Sequence, residues 1–207
     1  MRVVVPVSGS DPKTRLSAVL SPDERREFTE AMLADVVDAV TAAGHEPDVI
    51  STAPIDCPVP VTVDDRGLDP LVNDLLASTV TADEDGLAVV MADLPLVTQE
   101  GIERLFAPDA DVVLAPGLDG GTNAFVSRHP EFRVDYHGAS IRDHRRIARD
   151  VGAETVEVDS RRLATDIDQS SDLAEVLLHS DGAAADWLAD AGFSLSLTDG
   201  RVTVSRE

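Results

Sequence analysis

Hydrophobic positions along this chain fall into two rhythms. Short apolar runs rich in β-branched residues read as strands buried on both faces: Arg2–Val7, Leu87–Met91 and 112–115. Further strands are expected at 48–51, 59–63, 123–127 and 155–158. Between them apolar residues recur three and four apart, as on the buried stripe of a helix. Ser21-Pro22-Asp23-Glu24 opens the first such stretch with a cap, a proline in the first turn and acids at the positive dipole end. Phe28, Met32, Val36, Val37 and Val40 carry its stripe, and Gly44 stops it. Helices are likewise expected over 69–78, from a Thr98 cap through Phe106, and over 140–151, 171–179 and 181–191. Phe193–Ser205 reads as a hairpin whose Asp199-Gly200 pair predicts a type I′ turn. Strands alternating with helices predict one α/β domain around a mostly parallel, twisted sheet. Its body is expected over residues 1–179, with 180–207 as a helix–hairpin appendage.

Composition sharpens this picture. The 207 residues carry 39 acids against 17 Lys and Arg, a formal charge of −22. Lys13 is the sole lysine, and Asp outnumbers Glu by more than two to one. This bias fits a salt-rich cytoplasm, where a Debye length of about 3 Å at molar salt screens a dense carboxylate coat. It excludes nucleic acid as a partner, since phosphate backbones are bound by Lys and Arg. No apolar run approaches the roughly 18 residues of a membrane span, and no signal peptide is evident. The single cysteine, Cys57, excludes an intrachain disulfide and reads as packing beside a turn.

Candidate chemistry gathers where strands end. Walker A and G-x-G-x-x-G sequences are absent. Instead the first strand runs into Ser8-Gly9-Ser10-Asp11-Pro12-Lys13-Thr14-Arg15. Small residues there allow backbone N–H groups to approach a phosphate, and two cations follow. A lysine kept against so strong a bias marks Lys13 as part of an anion site. Asp93 follows a buried strand, at the carboxyl edge where open α/β sheets bind ligands. In an extended Asp166-Ile167-Asp168 the two carboxylates share a side about 7 Å apart, so both can reach metals in one site. Mg²⁺ suits such carboxylates together with substrate phosphates. Asp172 reads as helix N-terminal charge. Pro116 to Asn123 reads as a glycine-rich loop ending in neutral hydrogen-bonding groups, and Ser140 is expected to cap the next helix. His137 and His144 read as neutral loop and helix-surface histidines, and Trp187 as packing.

Taken in order, these segments resemble the archaeal 2-phospho-L-lactate guanylyltransferase family, within the molybdopterin-guanylyltransferase-like nucleotidyltransferases. The likeness runs from Met1 to about His179. It rests on Lys13-Thr14-Arg15-Leu16, Asp93-Leu94-Pro95, Gly120-Gly121-Thr122-Asn123, Tyr136-His137-Gly138-Ala139-Ser140 and Leu163 to Asp168. The resemblance implies a Rossmann-like, nucleotide-diphospho-sugar-transferase (GT-A-like) fold. It implies transfer of GMP from GTP to 2-phospho-L-lactate in coenzyme F420 biosynthesis, with Mg²⁺, in a cytoplasmic homodimer. Lys13, Arg15 and Asp93 would be catalytic, and Asp93, Asp166 and Asp168 would bind metal. Ser8, Gly9, Lys13, Arg15 and Gly67 would bind nucleotide, while Thr122, Gly138 and Ser140 would bind the acceptor. Ser8-Gly9-Ser10 stands where relatives commonly carry a further basic residue, and His137 where bacterial relatives tend to have Gly. Alternatives are the same transfer to phosphoenolpyruvate or a sugar phosphate, a non-catalytic nucleotide-binding regulator, and a glycosyltransferase. The last is disfavoured because Asp93-Leu94-Pro95 replaces the usual Asp-x-Asp.

Overall fold

Seven strands build the main sheet of the computed structural model, which describes residues 1–80, 86–198 and 200–206. They are β1 (Arg2–Val7), β2 (Pro47–Ser51), β3 (Val61–Val63), β4 (Leu87–Val90), β5 (Val112–Pro116), β6 (Thr122–Ser127) and β7 (Thr155–Glu157). Their order is β3-β2-β1-β4-β6-β5-β7. All neighbours run parallel except β6, which is antiparallel to both β4 and β5. β6 lies between β4 and β5, and the loop of residues 117–121 turns β5 back into it. Chain order reverses across β1, with β2 on one side and β4 on the other, so the carboxyl ends of these strands open a switch-point crevice.

Strand alternation sends side chains into two cores. Val3, Val5 and Val7 of β1 face one layer, and Val4 faces the other. The first layer is covered by α1 (Pro22–Ala42) and α3 (Gln99–Phe106) through Val36, Val37, Val40, Ile102 and Leu105. α2 (Leu68–Thr79) and α4 (Ser140–Asp150) cover the second through Leu71, Leu76 and Ile141. α1 begins as expected: Ser21 Oγ accepts from Glu24 N–H while the Glu24 carboxylate accepts from Ser21 N–H.

The helix is longer than its sheet contact. Its first half, with Phe28 and Met32, belongs to a third core with Leu16, Leu20, Ile167, Leu173 and Leu188. α6 (Leu173–His179), α7 (Ala183–Asp190) and the β8–β9 hairpin (Phe193–Thr198, Arg201–Arg206) are seated there. Asp35 of α1 accepts from the N–H groups of Ala183 and Ala184 at the start of α7. A Cβ at Gly182 would collide with that carboxylate. Trp187 stacks at a tilt on Phe28, 5.3 Å between ring centroids.

Some expectations change. Ser140 does not cap α4: Ala139 holds the cap position without a side-chain bond, and Ser140 is the first helical residue. The third strand is confined to Val61–Val63, and a 3₁₀ turn (Thr14–Leu16) and α5 (Arg161–Ala164) were not anticipated. Both are too short to show a helical period. The type I′ assignment involves Asp199, which lies outside the described residues, although pairing of Thr198 with Arg201 gives a two-residue connection.

Candidate active site

β1 and β4 end side by side, and the segments after them form a cleft of about 530 Å³. Its polar floor comes from Ser8, Lys13, Arg15, Asp93 and Asp168, and its far wall from Ile50, Thr52, Gly67, Leu68 and Leu71. Gly67 is the residue before α2, so the first N–H groups of that helix border the cleft.

The cationic loop is held in an unusual backbone. Asp11 and Lys13 both adopt positive φ, 44° and 51°, a conformation that side-chain-bearing residues rarely take. Arg25, from the first turns of α1, pins this loop: its guanidinium is buried, donates to Pro12 O at 3.0 Å and pairs with Asp11. Sequence reading passed over Arg25, though it lies on the same stripe as Phe28, Thr29 and Met32, where an arginine needs a buried partner.

Lys13 Nζ then reaches Asp93 Oδ2 and Asp168 Oδ1, each at 2.6 Å. Arg15 donates to the other oxygen of Asp168 at 2.8 Å. Burial is the largest influence on Lys13 and lowers its pKa, but the two carboxylates together outweigh it and raise the net value. Ile167 is fully buried in the third core, and Asp166 and Asp168 flank it. Asp93, Asp166 and Asp168 bring carboxylate oxygens within 4.8 Å of one another. Asp166 is raised above the usual carboxylate range, first by burial and then by the charge of Asp93.

Neighbours fix this cluster. Asn123 donates to Leu163 O at 3.0 Å and to Asp166 Oδ1 at 3.2 Å, so the amide orients a carboxylate. Asp172 Oδ2 accepts from the N–H groups of Asp168 and Gln169, at 3.0 and 2.7 Å. Its charge therefore organises the loop bearing Asp168. Three oxygen-only donors crowded about one point fit Mg²⁺, a hard cation, better than a soft-ligand metal.

Gly9 is corrected. A Cβ there would meet Ser51 Oγ at 2.6 Å, and its N–H donates to Thr52 Oγ1 at 3.0 Å. It packs the loop against β2 and is not among the cleft-lining residues. Thr122 and Ser140 come together, their hydroxyl oxygens 3.5 Å apart, beside Gly138, whose φ is 58°. His144 is also corrected: it lies fully buried beneath Thr122, not on the helix surface. Exposed His137 pairs with Asp135 at 2.7 Å. Cys57 is half-buried, and burial raises its pKa.

Residues 1–207 match the model of the family described as "Guanylyl transferase CofC like". This chain belongs to that family. The 2-phospho-L-lactate guanylyltransferase of Haloarcula marismortui is 82% identical over 206 residues, covering 100% of this chain and 99% of its own. The protein of the same name from Haloferax volcanii is 58% identical, covering 100% and 99%. Among solved structures, one described as a nucleotide-diphospho-sugar transferase from Desulfovibrio desulfuricans G20 superposes with a TM-score of 0.74 at 15% identity, covering 91% of this chain and 93% of that one. A nucleotidyl transferase from Methanothermobacter gives 0.61 at 20%, covering 86% and 96%. Those two likenesses identify the fold. CofC-like membership and the sequence relatives identify the chain as a nucleotidyltransferase.

Proposed function

We infer that this chain transfers GMP from GTP to 2-phospho-L-lactate, giving lactyl-2-diphospho-5′-guanosine and pyrophosphate in coenzyme F420 biosynthesis. The observation that carries this is the full-length, 82% identical relative of that name. The cleft supports it chemically. An acceptor phosphate oxygen bonds to the α-phosphorus of GTP as the bond to the leaving pyrophosphate oxygen breaks. The acceptor is its own nucleophile, so no side chain need be acylated or phosphorylated.

What the protein must supply is tolerance of two polyanions in contact. Lys13 and Arg15 balance the triphosphate and the departing pyrophosphate. Asp93, Asp166 and Asp168 would hold Mg²⁺, which supplies charge neutralisation when bound. Gly67, Leu68 and Leu71 form the wall offered to guanine, and Ser8 borders the phosphates. Thr122, Gly138 and Ser140 receive the acceptor acid. Pyrophosphate release from GTP and Mg²⁺, measured in molar KCl with 2-phospho-L-lactate, phosphoenolpyruvate and sugar phosphates in parallel, tests the reading. Release dependent on 2-phospho-L-lactate is expected, and its absence would refute the acceptor.

We further propose a cytoplasmic homodimer joined through the hairpin. Leu195, Leu197 and Val202 share one face near its tip and are exposed by 42%, 79% and 44% in an otherwise acidic surface. Leu197→Asp should convert a dimer to a monomer in sedimentation velocity, and an unchanged dimer would place the interface elsewhere.

A further inference from the structure

His144 is a buried titratable group that the reaction above does not use. It sits on α4 with no exposed surface, edge-on to Phe132 and Tyr136. Each ring nitrogen has one partner. Nε2 receives the backbone N–H of Asp135 at 3.0 Å, and Nδ1 lies 2.8 Å from Thr122 Oγ1. A nitrogen facing an N–H donor cannot itself carry hydrogen. In neutral imidazole the proton is therefore on Nδ1, and it is donated to Thr122. Burial supports the neutral form by pushing the pKa down to about 4, against the opposing charges of Asp69, Asp135 and Asp143.

This assignment constrains Thr122. A hydroxyl has two lone pairs and one hydrogen. His144 fills one lone pair, and Ser140 Oγ donates toward the other from 3.5 Å. The remaining hydrogen is donated to no group among the described residues. Thr122 is only 3% exposed, so leaving that hydrogen unmatched is costly.

We propose that His144 is a positioning residue of the acceptor subsite. By donating from Nδ1 it turns the Thr122 hydroxyl hydrogen away from α4, where an anionic oxygen of the acceptor acid receives it. The proposal rests on the reading of Thr122, Gly138 and Ser140 given above.

Two isosteres separate this role from simple packing. Asparagine reaches the Nδ1 position and can still donate to Thr122, while glutamine reaches the Nε2 position and keeps only the Asp135 contact. With saturating GTP, His144→Gln should raise the acceptor KM about tenfold, leaving the GTP KM and kcat near wild type. His144→Asn should stay within about threefold of wild type. Thr122→Val should match His144→Gln, and the double variant should lose little more. Equal losses in the asparagine and glutamine variants, or a GTP KM rising in step, would overturn the proposal.

A turnover-independent arm uses ¹⁵N-histidine NMR on the whole protein at pH 7. It should show protonated Nδ1 and bare Nε2 at His144, with the Nδ1–H resonance displaced in Thr122→Val. An Nε2–H tautomer or a charged ring overturns the proposal even if the variants are inactive. Failure of wild-type protein to use any acid would instead remove the functional reading, and NMR would still decide whether His144 sets Thr122.

Discussion

Asp166, proposed above as a metal ligand, carries a charge that works against stability. Its folded pKa is raised by burial and by Asp93, so its ionised form is less favourable in the folded chain than in the unfolded one. The stability it contributes exists below its unfolded pKa and is lost as pH rises through the folded value; at pH 7 its charge is a liability. Asp166→Asn should therefore raise the melting temperature in the presence of EDTA while lowering turnover at least 100-fold. A lower melting temperature would contradict the crowding argument. His144 shows the opposite sign. Its pKa falls from 6.5 to about 4, so its neutral form supports the fold fully above 6.5 and progressively less down to about 4. The amount is roughly 3 kcal/mol. Urea titrations across that window should show a shallower decline for His144→Asn than for wild type. The sequence exposed Lys13 and the aspartates because their rarity or spacing stood out. It hid His144, because a histidine among Arg and Asp on a helix looks solvated until Thr122, 22 positions earlier, is brought over it.

Elements were legible where a local rule governs them. The capping box of α1 and the unbroken apolar run of β4 are both visible in a few consecutive residues. The antiparallel insertion of β6 was not, because its apolar run says nothing of direction and only the return loop from β5 decides it. Nor could local reading divide α1 into a half that meets the sheet and a half that meets the third core. Asp172 belongs to this scale: read as helix-end charge, it shapes the connection into α6 by accepting two backbone N–H groups. Asp172→Ala should cost about 1–2 kcal/mol in chemical denaturation and should weaken Mg²⁺-dependent turnover more than GTP binding. If Mg²⁺ dependence is unchanged, the loop does not need this anchor to present Asp168.

For the whole molecule, the charge of −22 and the chemistry are separable. Most carboxylates are surface groups whose mutual repulsion salt can screen, whereas the cleft balances its own aspartates internally with Lys13 and Arg15. The melting temperature should thus climb steeply between 0.1 and about 2 M KCl. The Lys13–Asp93 contact, buried on one side, should respond far less, as read by comparing the pH dependence of turnover at low and high KCl. A melting temperature indifferent to KCl would mean that surface repulsion is not what limits the fold.

Lys13 also gives the folded chain an unusual chemical signature. An amine-directed reagent finds one ε-amino group in the entire sequence, and that group is only 11% exposed and held between two carboxylates. Once the label on the Met1 α-amino group is separated by peptide mapping, acylation reports on a single side chain without any need to engineer others away. Its rate follows the opening of the ion-pair cluster on the loop after β1, making this cleft one whose internal motion can be followed by ordinary protein labelling.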